Sequence, residues 1–134
     1  MTRSHIETVR AYWAASDGAD WEAAGSCVGN GFTWVDHTYG DTPMEGTLAL
    51  AEAQAWSDQA FAIDEWYNAT EGTLIVLATV TRTLTGPWRG VEPRGQRVTT
   101  KICDIFRFNE EGLIVHEELF EDALAVMRQL GAVS

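Results

Sequence analysis

The stretch from Gln96 to Asp122, QRVTTKICDIFRFNEEGLIVHEELFED, constrains this chain more than any other, because it reads as two strands joined by a tight turn. Successive side chains of a strand point to opposite faces, so Val98, Thr100, Ile102, Asp104, Phe106 and Phe108 share one side. Thr99, Lys101, Cys103, Ile105 and Arg107 share the other. Asp104 therefore stands on an oily face, among Ile102, Phe106 and Phe108. An ionised carboxylate in a dry site costs several kcal/mol or more, so this one must be paired, hydrogen-bonded or kept protonated. In its neutral form it can donate a hydrogen bond.

The rest of the chain supplies a sheet and its cover. Phe61 to Thr70 and Leu74 to Thr85, separated by Glu71-Gly72-Thr73, predict a long antiparallel hairpin whose second strand is largely apolar on both faces. Gly86 to Gly95, with Pro87, Gly90 and Pro93, is a loop placed to rim a pocket. At the start, Ile6, Val9, Arg10, Trp13 and Ala14 recur at helical spacing behind a Ser4 cap with Glu7 three residues later. Asp20 caps a second, short helix, Trp21 to about Val28, which Gly29-Asn30-Gly31 stops. A strand from Phe32 to His37 follows, then a loop from Thr38 to Gly46 with a very short strand at its end. The alanine-rich run from Thr47 to about Gln59 predicts a third helix. Asn109 to Gly112 forms the last hairpin turn, Leu113 to about Glu121 the last strand, and Ala123 to Leu130 a helix ended by Gly131. This order is α+β: a strongly bent antiparallel sheet wraps around the N-terminal helices as a cone and leaves a cavity at its open end.

Composition limits what such a cone can serve. A chain of 134 residues, 46% hydrophobic and with six tryptophans, is a single domain spanning residues 1–134 with material for a core and a small cavity. A net charge of -11, with nine Lys and Arg spread along the chain, argues against nucleic acid as a partner. No apolar run approaches the ~20 residues that span a bilayer, and Thr2, Arg3, Ser4, His5 and Glu7 stand where a signal peptide needs an oily core. The expectation is a cytoplasmic protein without a membrane partner. Cys27 and Cys103 lack metal-ligand spacing and read as buried, reduced thiols. No metal site is expected.

Nearly the whole chain resembles the nuclear-transport-factor-2-like superfamily, the cystatin-like cone, and within it the SnoaL-like proteins and ketosteroid isomerases. RAYWAASDGADWEAA, FTWVDHTYG and CDIFRFNEEGLIVHE carry the likeness, and the terminal DALAVMRQLGA looks like the tail of SnoaL-like domains. By resemblance to the isomerases, Tyr12 matches the oxyanion-hole tyrosine, Asp36 the general base and Asp104 the protonated acid. The chemistry has its own logic. Taking a proton from beside a carbonyl makes an enolate, which two neutral O–H donors converging on its oxygen stabilise while a carboxylate reaches the carbon acid.

Each residue also has a plain alternative: Tyr12 as helix packing, Asp36 as the cap of a turn. Trp34, Phe106, Trp88 and Glu121 are the expected substrate-binding residues, with tryptophans offering flat apolar surface to a polycyclic ligand. The last strand departs from the isomerase pattern. Glu117, Leu119 and Glu121 share one face and Glu118 and Phe120 the other, so at least one acid faces inward or lies in a subunit contact. The expected function is cofactor-free enolate chemistry on a small hydrophobic carbonyl compound, either isomerisation or SnoaL-like aldol cyclisation. Two alternatives stand beside it. One is a non-enzymatic small-molecule binder or homodimerisation module. The other is an epoxide hydrolase or epoxide-opening cyclase, which wants an Asp-Arg-Asp set, although two positions after Arg82 stands Leu84 rather than aspartate. A homodimer would use the outer sheet face, Thr99, Lys101, Cys103, Ile105 and Arg107.

Overall fold

A computed structural model describes residues 3–38, 44–45 and 54–133. The chain opens with helix α1 (His5–Asp17), held by the Ser4 and Glu7 capping box, and a short helix α2 (Trp21–Gly25) capped by Asp20. Six strands follow among the described residues: β1 (Val28–Asp36), β2 (Met44–Glu45), β3 (Trp56–Asn68), β4 (Thr73–Leu84), β5 (Arg97–Phe108) and β6 (Ile114–Glu121). Helix α3 (Ala123–Leu130) closes the chain, with Asp122 as its N-cap and Gly131 left-handed at φ 78°.

The strands form one sheet in the order β2-β1-β6-β5-β4-β3. Every pair is antiparallel except β1 with β6, where the first strand runs parallel to the last. Register shifts in the β1–β6, β3–β4 and β5–β6 pairs bend the sheet into the cone. The alternation read along β5 holds residue by residue, with Val98, Thr100, Ile102, Asp104, Phe106 and Phe108 buried.

Two clusters fill the inside. Val9 and Trp13 of α1 pack on Leu74, Val76, Ile102 and Phe106, with Trp13 stacked on Phe61 at 4.4 Å. Val126 and Leu130 of α3 pack on Leu84, Trp88 and Val98 near the other end of the sheet. Among the described residues no helix is long and apolar enough to cross a membrane.

Three boundaries differ from expectation. Helix α2 ends at Gly25, and the strand after it begins at Val28 rather than Phe32, drawn in early by pairing with Ile114. The helix expected from Thr47 to about Gln59 lies outside the described residues as far as 53. Its last part is not helical: Trp56 to Gln59 start β3, where Trp56 pairs with Leu84 and Ser57 with Thr83. Alanine favours helix only by tenths of a kcal/mol, about 0.7 at most against ordinary residues, and strand pairing overrides that here. Asp58, at φ 54°, sits in the bulge that follows.

Candidate active site

The cone encloses a cavity of about 510 Å³ whose floor is polar and whose walls are aromatic. Five of the six tryptophans, Trp13, Trp21, Trp34, Trp56 and Trp88, line it. Such flat apolar walls suit a ligand of moderate size.

The polar floor is built by three elements. Tyr12 comes from α1, Asp104 from the inner face of β5 and Glu117 from the inner face of β6. In the β5–β6 ladder Asp104 pairs with Leu119 and Phe106 with Glu117, which makes Asp104 and Glu117 diagonal neighbours on one face. Glu117 lies close enough to Asp104 and Tyr12 for both side chains to act on its carboxyl as hydrogen-bond donors. Asp104 is 1% exposed and Glu117 5%. Burial, then the Glu117 charge, hold the Asp104 carboxyl well above the usual range. Burial also raises Glu117, but the hydrogen bonds from Asp104 and Tyr12 work against it. Two carboxyls this close cannot both ionise cheaply. The pair therefore holds one proton, carried by Asp104, and Glu117 is the carboxylate that receives two O–H donors. Burial and the neighbouring Glu117 likewise push the Tyr12 hydroxyl far up, so it stays a donor. Asp104 Oδ1 and Glu117 Oε1 are buried without a hydrogen-bond partner among the described residues.

Asp36 ends β1, two residues beyond Trp34 on the same face, and is buried. Its Oδ1 accepts a hydrogen bond from the Thr38 backbone N–H at 2.9 Å. Burial raises its pKa, Thr38 opposes the rise, and Glu121 adds to it. Further round the wall Arg82 of β4 donates to Glu121 Oε1 at 2.9 Å and lies over the Trp56 ring at 4.2 Å. Thr100 donates to the other oxygen of Glu121.

Of the residues singled out in the sequence, Tyr12, Asp36, Asp104, Trp34, Trp88 and Glu121 all line this cavity. Phe106 does not. It is fully buried in the core beneath it, edge-on to Tyr12 and Trp13, because the helix covers that part of β5. Of the three acids of β6, Glu117 and Glu121 face in. Glu118 faces out, where it meets Arg107 at 3.1 Å, His116 at 3.0 Å and His37 at 3.4 Å. His37 thus lies on the outer side, stacked on Phe120. Arg82 is the cation paired with Glu121. Sequence reasoning did not single out Glu117 as the partner of Asp104 or Arg82 as part of the wall. Among the described residues no three His, Cys, Asp or Glu side chains are grouped to hold a metal ion.

A bent α+β cone with a carboxyl-floored, aromatic-walled cavity is the nuclear-transport-factor-2-like fold. Within it the chain belongs to the SnoaL-like polyketide cyclase family, whose model matches residues 6–130. Solved structures agree on the fold. A candidate SnoaL-like polyketide cyclase from Jannaschia Sp. CCS1 superposes with a TM-score of 0.81 at 22% identity, covering 100% of this chain and 99% of that one. An epoxide hydrolase of M. tuberculosis, limonene-epoxide-hydrolase-like, gives a TM-score of 0.71 at 16% identity over 96% and 90% of the two chains. A protein with a ketosteroid isomerase-like fold from Catenulispora acidiphila DSM 44928 gives 0.72 at 19% over 98% and 95%. Comparison with curated proteins gave no match.

Proposed function

We propose that this chain is a cofactor-free acid–base enzyme that forms an enolate from a hydrophobic carbonyl compound, as an isomerase or a polyketide-type cyclase. The observation that carries the reading is the buried Tyr12–Glu117–Asp104 cluster at the floor of an aromatic cavity. A passive binding module has no need of two carboxyls that share a proton, since they cost stability and add no apolar contact. A pair holding one proton can accept a proton from one carbon and return it to another, which is the work of both isomerisation and aldol closure.

Within that reading the base is Glu117. An oxyanion hole needs donors and no acceptor, yet the hydrogen bonds of Tyr12 and Asp104 are directed to the Glu117 carboxylate. A developing enolate oxygen beside Glu117 would be repelled while that group stayed ionised. Once Glu117 has taken the proton, the two O–H groups lose their anionic acceptor and turn to the enolate. The proton transfer itself thus creates the hole. Asp36 has a single neighbour of this kind: Thr38, whose side chain and backbone N–H both hydrogen-bond its carboxyl.

The test is α-hydrogen exchange of a bound cyclic ketone in deuterated water. Glu117→Gln should slow exchange by at least about 10³-fold, equivalent to roughly 4 kcal/mol, and Asp36→Asn by no more than about tenfold. The opposite ranking, in variants with unchanged melting temperature, makes Asp36 the base. No exchange in the parent protein with any ketone that binds would leave a binder instead.

A further inference from the structure

The cavity has an unusual charge inventory for a site that takes neutral ketones. Asp36, Asp104, Glu117 and Glu121 line it, against a single lining cation among the described residues, Arg82. Arg82 is committed to Glu121 at 2.9 Å. Asp104 is neutral through the shared proton. Asp36 and Glu117 then remain as two carboxyls with no cation of the lining paired to them. From outside the lining Arg89 lowers the Asp36 pKa, while Glu121 raises it.

Three further observations point to what would balance these charges. Asp104 Oδ1 and Glu117 Oε1 are buried in the floor without a hydrogen-bond partner among the described residues. Trp34 shares its strand face with Asp36, two residues away, so an indole stands beside that carboxylate. The walls carry four more tryptophans, and an indole face attracts a cation and gains nothing from an anion. An acidic, aromatic-walled space is the environment that selects an organic ammonium ion over a neutral molecule of the same shape.

We infer that the carbonyl compound taken by this cavity carries a protonated amine, seated between Asp36 and Trp34. The carbonyl half of this statement rests on the acid–base reading above; the amine half rests on the lining alone. The geometry also divides the labour: Glu117 handles the carbon-bound proton and Asp36 anchors the charge.

Matched probes test this without knowing the natural substrate. Tropinone is a bicyclic ketone whose tertiary amine is protonated at neutral pH. 8-Methylbicyclo[3.2.1]octan-3-one has the same skeleton with carbon in place of nitrogen, and N-acetylnortropinone keeps the nitrogen but not the charge. Titration followed by tryptophan fluorescence should show tropinone binding at least about tenfold tighter than either neutral ketone. Asp36→Asn should reduce that ratio to about twofold or less. Equal or tighter binding of the carbon isostere by the parent protein overturns the inference, and this comparison needs no variant to fold. A preference that survives intact in a folded Asp36→Asn protein overturns the Asp36 anchor. Binding and exchange are read separately. A protein that prefers tropinone but exchanges none of its α-hydrogens upholds the charge selection and rejects the enolate chemistry; exchange without preference does the reverse.

Discussion

Asp104 shows how far a single residue can be read. Its place on the buried face of β5 follows from alternation alone, and the raised pKa follows from that face being dry. Stability should carry its signature. The unfolded chain ionises Asp104 near pH 4, while the folded chain keeps the proton to higher pH. Between those points the folded state binds more protons, so this residue makes stability fall as pH rises. Asp104→Asn, which cannot ionise and can still donate to Glu117, should lose less stability than the parent between pH 5 and pH 8 in chemical denaturation. An equal loss would mean that Asp104 ionises as freely folded as unfolded. Glu117 was not legible in the same way. Acids stand on both faces of β6, and alternation groups Glu117 with Glu121 without saying which face turns inward. That depends on the pairing of Phe106 with Glu117 and on the register shift near Phe108, which are facts about the ladder rather than about β6. The Arg82–Glu121 pair, 39 residues apart, was hidden for the same reason.

At the level of elements, local signals were the readable ones. The two hairpins announce themselves through alternation on both sides of a glycine turn, and Gly72 and Gly112 do take positive φ, 75° and 81°. The caps are equally local: Ser4, Asp20 and Asp122 each accept from an N–H three residues on. What fixes the cone's shape is not local. The parallel pairing of β1 with β6 joins residues more than 80 apart, and nothing within either strand names its partner. Where the early β3 residues were misread as helix, propensity spoke without the competing β4 ladder in view. Helix α3 gives the energetic counterpart. Asp122 Oδ1 accepts from the Ala125 N–H at 3.1 Å, and Leu130 is fully buried against the sheet end beside Trp88. Denaturant unfolding should show Asp122→Ala costing about 1 kcal/mol and Leu130→Ala about 2–5 kcal/mol. A negligible effect of Leu130→Ala would mean that α3 is only loosely docked. Because α3 and Trp88 share a cluster while Trp88 also lines the cavity, the Leu130 change should also weaken ligand binding, whereas the cap change should not.

For the whole molecule, the outer face of the sheet raises the question of a second copy. Registers across β4, β5 and β6 set Leu77 beside Cys103 and Cys103 beside Phe120, with Ile75 beside Ile105 one pair along. These five side chains form one apolar block on the side away from the cavity, and Phe120 is 42% exposed. Charged residues frame the block, but several are already paired within the chain: Arg107 with Glu118, Lys101 with Asp64. Framing charges that are satisfied internally contribute little to a partner contact, while an apolar block continuous over three strands gains free energy when covered. We propose that a second copy covers it through a two-fold contact, which lets the same block face itself. Light scattering on the purified protein should then give twice the chain mass of 14.8 kDa. High salt should leave the dimer intact, since screening acts on charges that already have partners. Ile105→Lys should yield a folded monomer, because each copy would bring an ammonium to the centre of the contact, where it keeps the neighbouring Glu118 and water in the monomer but loses its hydration when covered. A parent protein that remains a monomer at high concentration would refute the dimer. Dissociation by salt alone would show that the charged frame, rather than the apolar block, holds the copies together.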